Sequence, residues 1–178
     1  MTVLIDSATV ASPADTNCDS SQLFGQSFQV QNSCTLDSLI IDIKTNGSPT
    51  GSFQFEIYAI SGTYGSTSIP TGSVLATSDS VTVASLSGTY STKTIGFSGA
   101  NRIAMTTGQQ YALVCNYSAT SWPNALLLKN KTPSFHGGNQ SYKSGGTWSA
   151  LSAYDCVFDL QGVSSSVSNS TFLAFMPI

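Results

Sequence analysis

The sequence predicts an all-β fold, an antiparallel β-sandwich, and three observations carry that prediction. Stretches such as Phe53-Gln54-Phe55-Glu56-Ile57-Tyr58-Ala59-Ile60 alternate apolar and polar residues. That is the period of two expected of a strand with one face in a core. A turn signal occurs twice, as Ser48-Pro49-Thr50-Gly51-Ser52 and Ile69-Pro70-Thr71-Gly72-Ser73. Pro presets φ at the first central position of a turn, and Gly accepts conformations other residues resist. Helical periodicity is nearly absent, and Ser80 to Leu86 has room for a short turn at most.

The strands follow in order. Thr2 to Ile5 opens the chain, and Leu23 to Val30 comes next. Cys34 to Thr45 places Leu36, Leu39, Ile41 and Ile43 near one face, with Asp37, Asp42 and Lys44 opposing most of them. Ser52 to Ile60 is the clearest alternating strand, and Val74 to Val83 follows the second Pro-Thr-Gly-Ser turn. Thr92 to Phe97, Gln110 to Tyr117, Ala125 to Lys129, Gln140 to Lys143 and Tyr154 to Leu160 complete the set. Short segments spaced by Gly, Pro, Asn and Ser read as a sandwich or barrel. Residues 1–162 make one domain. Residues 163–178 make a Ser-rich connector and an apolar tail, Phe172-Leu173-Ala174-Phe175-Met176-Pro177-Ile178. Such a tail must dock, either as an edge strand of its own domain or on a neighbouring subunit.

Composition bounds the function. The chain has 178 residues, 40% hydrophobic, enough for a substantial core. Charged residues are only 8%, against roughly 25% in an ordinary soluble domain. Six basic residues stand against nine acidic ones, for a net charge of −3, and the basic residues are scattered. Nucleic-acid binding needs clustered cations and is not expected. No apolar run approaches the roughly 20 residues of a membrane span, and Met1 to Asp6 lacks the basic and apolar regions of a signal peptide. A retained Met1 without a signal fits assembly in a host cytoplasm better than a processed secreted protein.

Cys18, Cys34, Cys115 and Cys156 lack the spacing of a zinc site. Cys115 shares a strand face with Tyr111 and Leu113, and Cys156 with Tyr154 and Phe158, so both read as small core residues. Cys18–Cys34 and Cys115–Cys156 disulfides remain open. The single histidine, His136, lies beside Gly137 and Gly138 and reads as a turn or surface residue. There is no nucleophile elbow, and Glu56 is the lone glutamate, so neither a triad nor a carboxylate pair is visible. An enzyme is not expected, and neither is a cofactor. Asp155 and Asp159 read as solvated strand carboxylates. A structural calcium on Asp15, Asp19, Asp155 or Asp159 would lack any EF-hand spacing.

A series of short motifs carries a resemblance. In order they are Gly25-Gln26-Ser27-Phe28, Gly47-Ser48-Pro49-Thr50-Gly51, Pro70-Thr71-Gly72-Ser73, Gly108-Gln109-Gln110-Tyr111, Gly137-Gly138-Asn139, Gly146-Thr147-Trp148 and Tyr154-Asp155-Cys156-Val157-Phe158. The chain resembles a jelly-roll-like β-sandwich domain of phage structural and bacterial surface proteins. The resemblance spans roughly residues 4–162. It implies a non-catalytic module for attachment, display or particle assembly, with Trp148 as a core plug.

Two readings of function follow. In the first, the chain is a capsid decoration (cement) protein on the surface of a virion. It would bind the major capsid protein or another virion subunit through Phe172, Leu173, Phe175, Met176 and Ile178. It would do so as a homo-oligomer, with a trimer among the options. In the second, it is a carbohydrate-binding or host-attachment module of a tail fibre or cell-surface protein. Tyr64, Trp122 and Tyr142 would stack on sugar or fill a partner's pocket, with Asn124, Asn139 and Gln140 as polar contacts.

Overall fold

The structure, a computed structural model, describes residues 1–9 and 14–164. These residues form fifteen strands: β1 Thr2–Ala8, β2 Ala14–Cys18, β3 Gln22–Gln29, β4 Cys34–Asn46, β5 Ser52–Ser61, β6 Ile69–Thr77, β7 Val81–Thr82, β8 Ser91–Gly96, β9 Ala104–Met105, β10 Gln110–Asn116, β11 Ala125–Lys131, β12 Gln140–Ser144, β13 Thr147–Leu151, β14 Asp155–Cys156 and β15 Phe158–Val163. They make two antiparallel sheets. An 8-stranded sheet runs β1-β15-β4-β11-β14, with β2 on β11 and with β8 and β9 on β4; a 7-stranded sheet runs β13-β12-β3-β10-β5-β6, with β7 on β5. The chain crosses repeatedly from one sheet to the other, which is how a jelly-roll-like sandwich is wound. Among the described residues no helix is long and apolar enough to cross a membrane.

The inner faces are those the alternation predicts. Phe53, Phe55 and Ile57 on β5 face Leu36, Leu39, Ile41 and Ile43 on β4, all at most 1% exposed. Leu36 and Leu39 are three residues apart, an odd spacing for one face. A register shift resolves it: Gln161 pairs with Ser38 and Gly162 with Leu36, so β4 carries an extra residue there. Gly162 is needed at that point, because an added Cβ would stand 2.3 Å from the Cys34 sulfur.

The two Pro-Thr-Gly-Ser segments differ. The first is a loop, with Gly51 at φ 84°. It is held by Tyr117, whose hydroxyl donates to the Thr50 carbonyl at 2.9 Å. The second is not a turn. Pro70 and Thr71 lie in β6, opposite Ile60 and Ala59, and Ala76 then pairs with Ile57. Residues 72–75 therefore bulge out of the ladder at Gly72, φ 74°, exposing Val74 and Leu75. The expected strand Val74 to Val83 is split into the end of β6, the short β7 and a 3-10 turn at Val83–Ser85.

β6 also reaches across to β13 and β3. The 7-stranded sheet thus curls over its own outer face. Trp148 lies there, half-buried, within 3.4 Å of where a Gly25 Cβ would stand, beside Pro70. It covers the outside of the sheet rather than plugging the core between the sheets, because Trp148 opposes Lys143 on the outward-facing side of β12.

All four cysteines are free and buried. A Cys18–Cys34 bridge is geometrically excluded. Cys18 opposes Leu126, which itself opposes Thr45, at the far end of β4 from Cys34. The strand between Cys34 and Thr45 spans roughly 36 Å.

Candidate functional site

The sandwich is apolar at its centre and polar along one side, where β2, β11, β12 and β14 meet. Inward-facing positions continue the core faces but carry Thr16, Gln26, Asn130, Gln140 and Asp155. Asp155 and Gln140 are 0% and 1% exposed.

Asp155 organises the first of two polar clusters. Its Oδ2 accepts from the backbone N–H of Phe135 and of His136 and from the Ser134 hydroxyl, each at 2.8 Å. Its Oδ1 accepts from Gln26 Nε2 at 3.2 Å. The expected solvated carboxylate is therefore a fully buried anchor for the loop before β12. His136 departs from expectation in the same way. Its side chain is 8% exposed, and its Nε2 meets Asp6 Oδ2 at 3.0 Å. The Gly138 N–H donates to its Nδ1 at 3.1 Å, so Nε2 carries the proton toward Asp6. Asp6 also accepts from the N–H groups of Ser7 and Gln29 and from Gln31 Nε2. Both imidazole nitrogens are thus occupied.

Tyr64 borders the cleft above this cluster, with Gln29, Gln31 and Phe135, in a volume of about 290 Å³. Burial, with added repulsion from Asp6 and Asp155, pushes its hydroxyl well above the usual tyrosine range. Asn139 lies below it and is 0% exposed. Its Nδ2 donates to the Ser68 carbonyl at 3.0 Å and the Gln140 carbonyl at 2.8 Å, and its Oδ1 accepts from the Ser68 hydroxyl. Asn139 is therefore a staple between loops, with no surface to offer a ligand. Gly138 makes this possible, since a Cβ there would stand 1.9 Å from the Ser27 carbonyl oxygen.

The second cluster is open. Between the sheets, Asn130, Gln140 and Thr16 form the floor of a cleft of about 320 Å³, with Tyr142, Tyr154 and Leu151 among its walls. Asn130 Nδ2 donates to Thr16 Oγ1 at 2.7 Å, and Gln140 Nε2 does so at 3.1 Å. Asn130 is 3% exposed, yet its Oδ1 has no partner among the described residues. Whichever way the amide is turned, Thr16 meets one end only, and the other polar end stays unmet. A buried carbonyl left so costs about 1–3 kcal/mol. At the mouth, Asp15 pairs with Lys44 at 2.9 Å and also accepts from the Tyr90 hydroxyl.

The sequence-predicted site residues are not brought together. Trp122 is 59% exposed on the β10–β11 loop, at the opposite end of the sandwich from Tyr64 and Asn139. Asn124, on the same loop, accepts the Ser48 N–H at 2.8 Å and so ties two loops together. Tyr142 alone lines the open inter-sheet cleft, with Gln140 beside it. Asn130, Thr16 and Tyr154 are the cleft residues that sequence reasoning missed. Asn130 sits in an Asn-Lys-Thr sequon, and its burial removes it as a glycosylation acceptor.

Phe172, Leu173, Phe175, Met176 and Ile178 lie outside the described residues. Among the described residues no group of three or more His, Cys, Asp or Glu is placed to hold a metal ion. Asp19, one of the calcium candidates, is instead a turn anchor. Burial pushes its carboxyl up, but hydrogen bonds from Ser21, Asn17 and Gln22 outweigh that and hold it below the ordinary value.

No family model matches the chain, and comparison with curated proteins gives no match. Among solved structures, the chain is similar to the clostridial cysteine protease Cwp84 after propeptide cleavage. The identity is 13% and the TM-score 0.57, over 93% of this chain and 40% of that one. A structure of the cysteine protease and lectin-like domains of Cwp84, a surface layer associated protein of Clostridium difficile, is similar at 13% identity and TM-score 0.49, over 82% and 32%. The chain thus spans about 40% of the length of the first of these. At this identity the likeness is one of fold: the two-sheet antiparallel sandwich recurs there.

Proposed function

We propose that the chain is a non-catalytic carbohydrate-binding module of a cell-surface or otherwise external protein, and that its sugar site is the inter-sheet cleft. One observation carries this reading: an open cleft of about 320 Å³ between the sheets, lined by the amides of Asn130 and Gln140 and the Thr16 hydroxyl and walled by Tyr142 and Tyr154. Sugar hydroxyls supply both donors and acceptors, so they pair with an amide- and hydroxyl-lined wall, while their C–H faces pack on aromatic rings. The lining is amide- and hydroxyl-rich, which suits a hydroxylated ligand better than an apolar one. Cwp84, over about 40% of whose length this fold recurs, is itself described as surface-layer associated and as bearing a lectin-like domain. The capsid-decoration reading took its subunit contact from Phe172 to Ile178, outside the described residues, whereas the cleft lies wholly within them.

A glycan array followed by calorimetry tests this. Saccharide binding is expected, weakened about tenfold by Tyr142→Ala and unaffected by Trp122→Ala. Absence of binding to any saccharide, or binding indifferent to Tyr142→Ala and Asn130→Leu, rules the reading out.

A further inference from the structure

β12 presents Tyr142 to the inter-sheet cleft and Lys143 to the opposite side, because neighbouring strand residues point to opposite faces. On that opposite side lies a second opening, of about 490 Å³, lined by Lys143 and by Ser20, Ser118 and Ser144. Gln22 borders both openings, so the two meet across it. A ligand longer than one sugar that leaves the first cleft over Gln22 arrives at Lys143.

The other basic side chains already have occupations. Lys44 pairs with Asp15, Arg102 with Asp37 and Lys129 with Asp42. Lys93 donates to the Ser85 carbonyl at 2.9 Å, and Lys131 stands over the Phe135 ring. Lys143 differs: among the described residues no carboxylate pairs with it and no acceptor takes its N–H groups. The hairpin turn beside it, Gly145-Gly146, leaves the space open, since a Cβ on either glycine would meet nothing within 4 Å. The carboxylate bordering this region, Asp19, is 1% exposed and turned inward. It accepts from the Ser21 N–H at 2.7 Å and the Ser21 hydroxyl at 2.6 Å. An ammonium with three unused donors, set among serine hydroxyls, is a receptor for an anion.

We infer that the ligand of the inter-sheet cleft is an acidic oligosaccharide, whose carboxylate, sulfate or phosphate is held by Lys143 on the far side of Gln22. This rests on the carbohydrate-binding reading. Calorimetric titration of the whole chain tests it with four probes: an oligogalacturonate, its neutral methyl ester, a sulfated chondroitin oligosaccharide and a phosphorylated oligomannoside. The variants are Lys143→Gln, Lys143→Arg and Asn130→Leu, each checked for an unchanged melting curve.

At least one acidic probe is expected to bind about tenfold more tightly than the neutral ester. Lys143→Gln should erase that difference, and Lys143→Arg should keep it. The affinity should fall as salt rises from about 20 to about 300 mM. The probe preferred among the three identifies the anion. Should the ester bind as tightly as the acids, or Lys143→Gln change nothing while Asn130→Leu weakens binding, the anion proposal is overturned and the sugar site stands. Binding of no probe by the wild-type chain overturns both.

Discussion

Two polar clusters flank the loop between β11 and β12, and they are finished differently. Around Asp155 every described donor and acceptor is met: two backbone N–H groups, a serine hydroxyl and a glutamine amide converge on one carboxylate, with His136 and Asp6 closed beside it. Around Asn130 the amide is met at one end only, and a cleft opens beside the residue. A buried network with all its bonds made rigidifies the fold; one with a bond missing lacks a partner that something else must supply. The carboxylate and histidine that look like chemistry serve as struts, and the open cleft lies beside the uncharged amides of Asn130 and Gln140.

The largest effect should come from the closed cluster. Asp155→Ala strips the partners from the Phe135 and His136 N–H groups and from Gln26, and should destabilise the chain by about 3 kcal/mol or more in urea unfolding. A cost near zero would mean the cluster is not a strut. The open cluster should respond far less in stability. Asn130→Leu removes an unmet polar group for the loss of one bond to Thr16, so stability should shift by no more than about 1 kcal/mol, while saccharide affinity falls about tenfold. Were Asn130→Leu as destabilising as Asp155→Ala, the contrast between the clusters would collapse.

The smallest effect sharpens the comparison from outside both clusters. The hydrogen bond from Lys129, with one from Thr92, holds the Asp42 carboxyl below its ordinary value of 3.8. A depressed folded-state value stabilises above the unfolded value, and that stability is lost as pH falls through the folded one. Wild-type stability should therefore decline below about pH 4, and Lys129→Met should flatten that decline by up to about 1 kcal/mol, since the pair is partly exposed. A slope left unchanged by Lys129→Met would assign the acid sensitivity to other carboxylates, Asp19 first among them.

Much of the fold is legible in the sequence because its signals are local. The alternation of Phe53 to Ile60 names the inner face of β5 outright. β13 escapes the reading although Gly145-Gly146 between Ser144 and Thr147 is a hairpin signal. β2 offers less: Asp15, Thr16 and Asn17 have the composition of a turn, and only their pairing with Lys129, Leu128 and Leu127 on β11 makes them a strand. The second Pro-Thr-Gly-Ser segment misleads because a Gly at positive φ serves a bulge as well as a turn.

The sequence by itself determined the fold class and which side chains of each long strand face the core, because period-two patterning needs no knowledge of partners. Only the tertiary structure decided the roles of the polar residues. Asp6 is 130 residues from His136, and Thr16 is 114 from Asn130. Whether a histidine lies on the surface or in a strut, and whether an amide is satisfied or waiting, depends on groups that folding alone brings together.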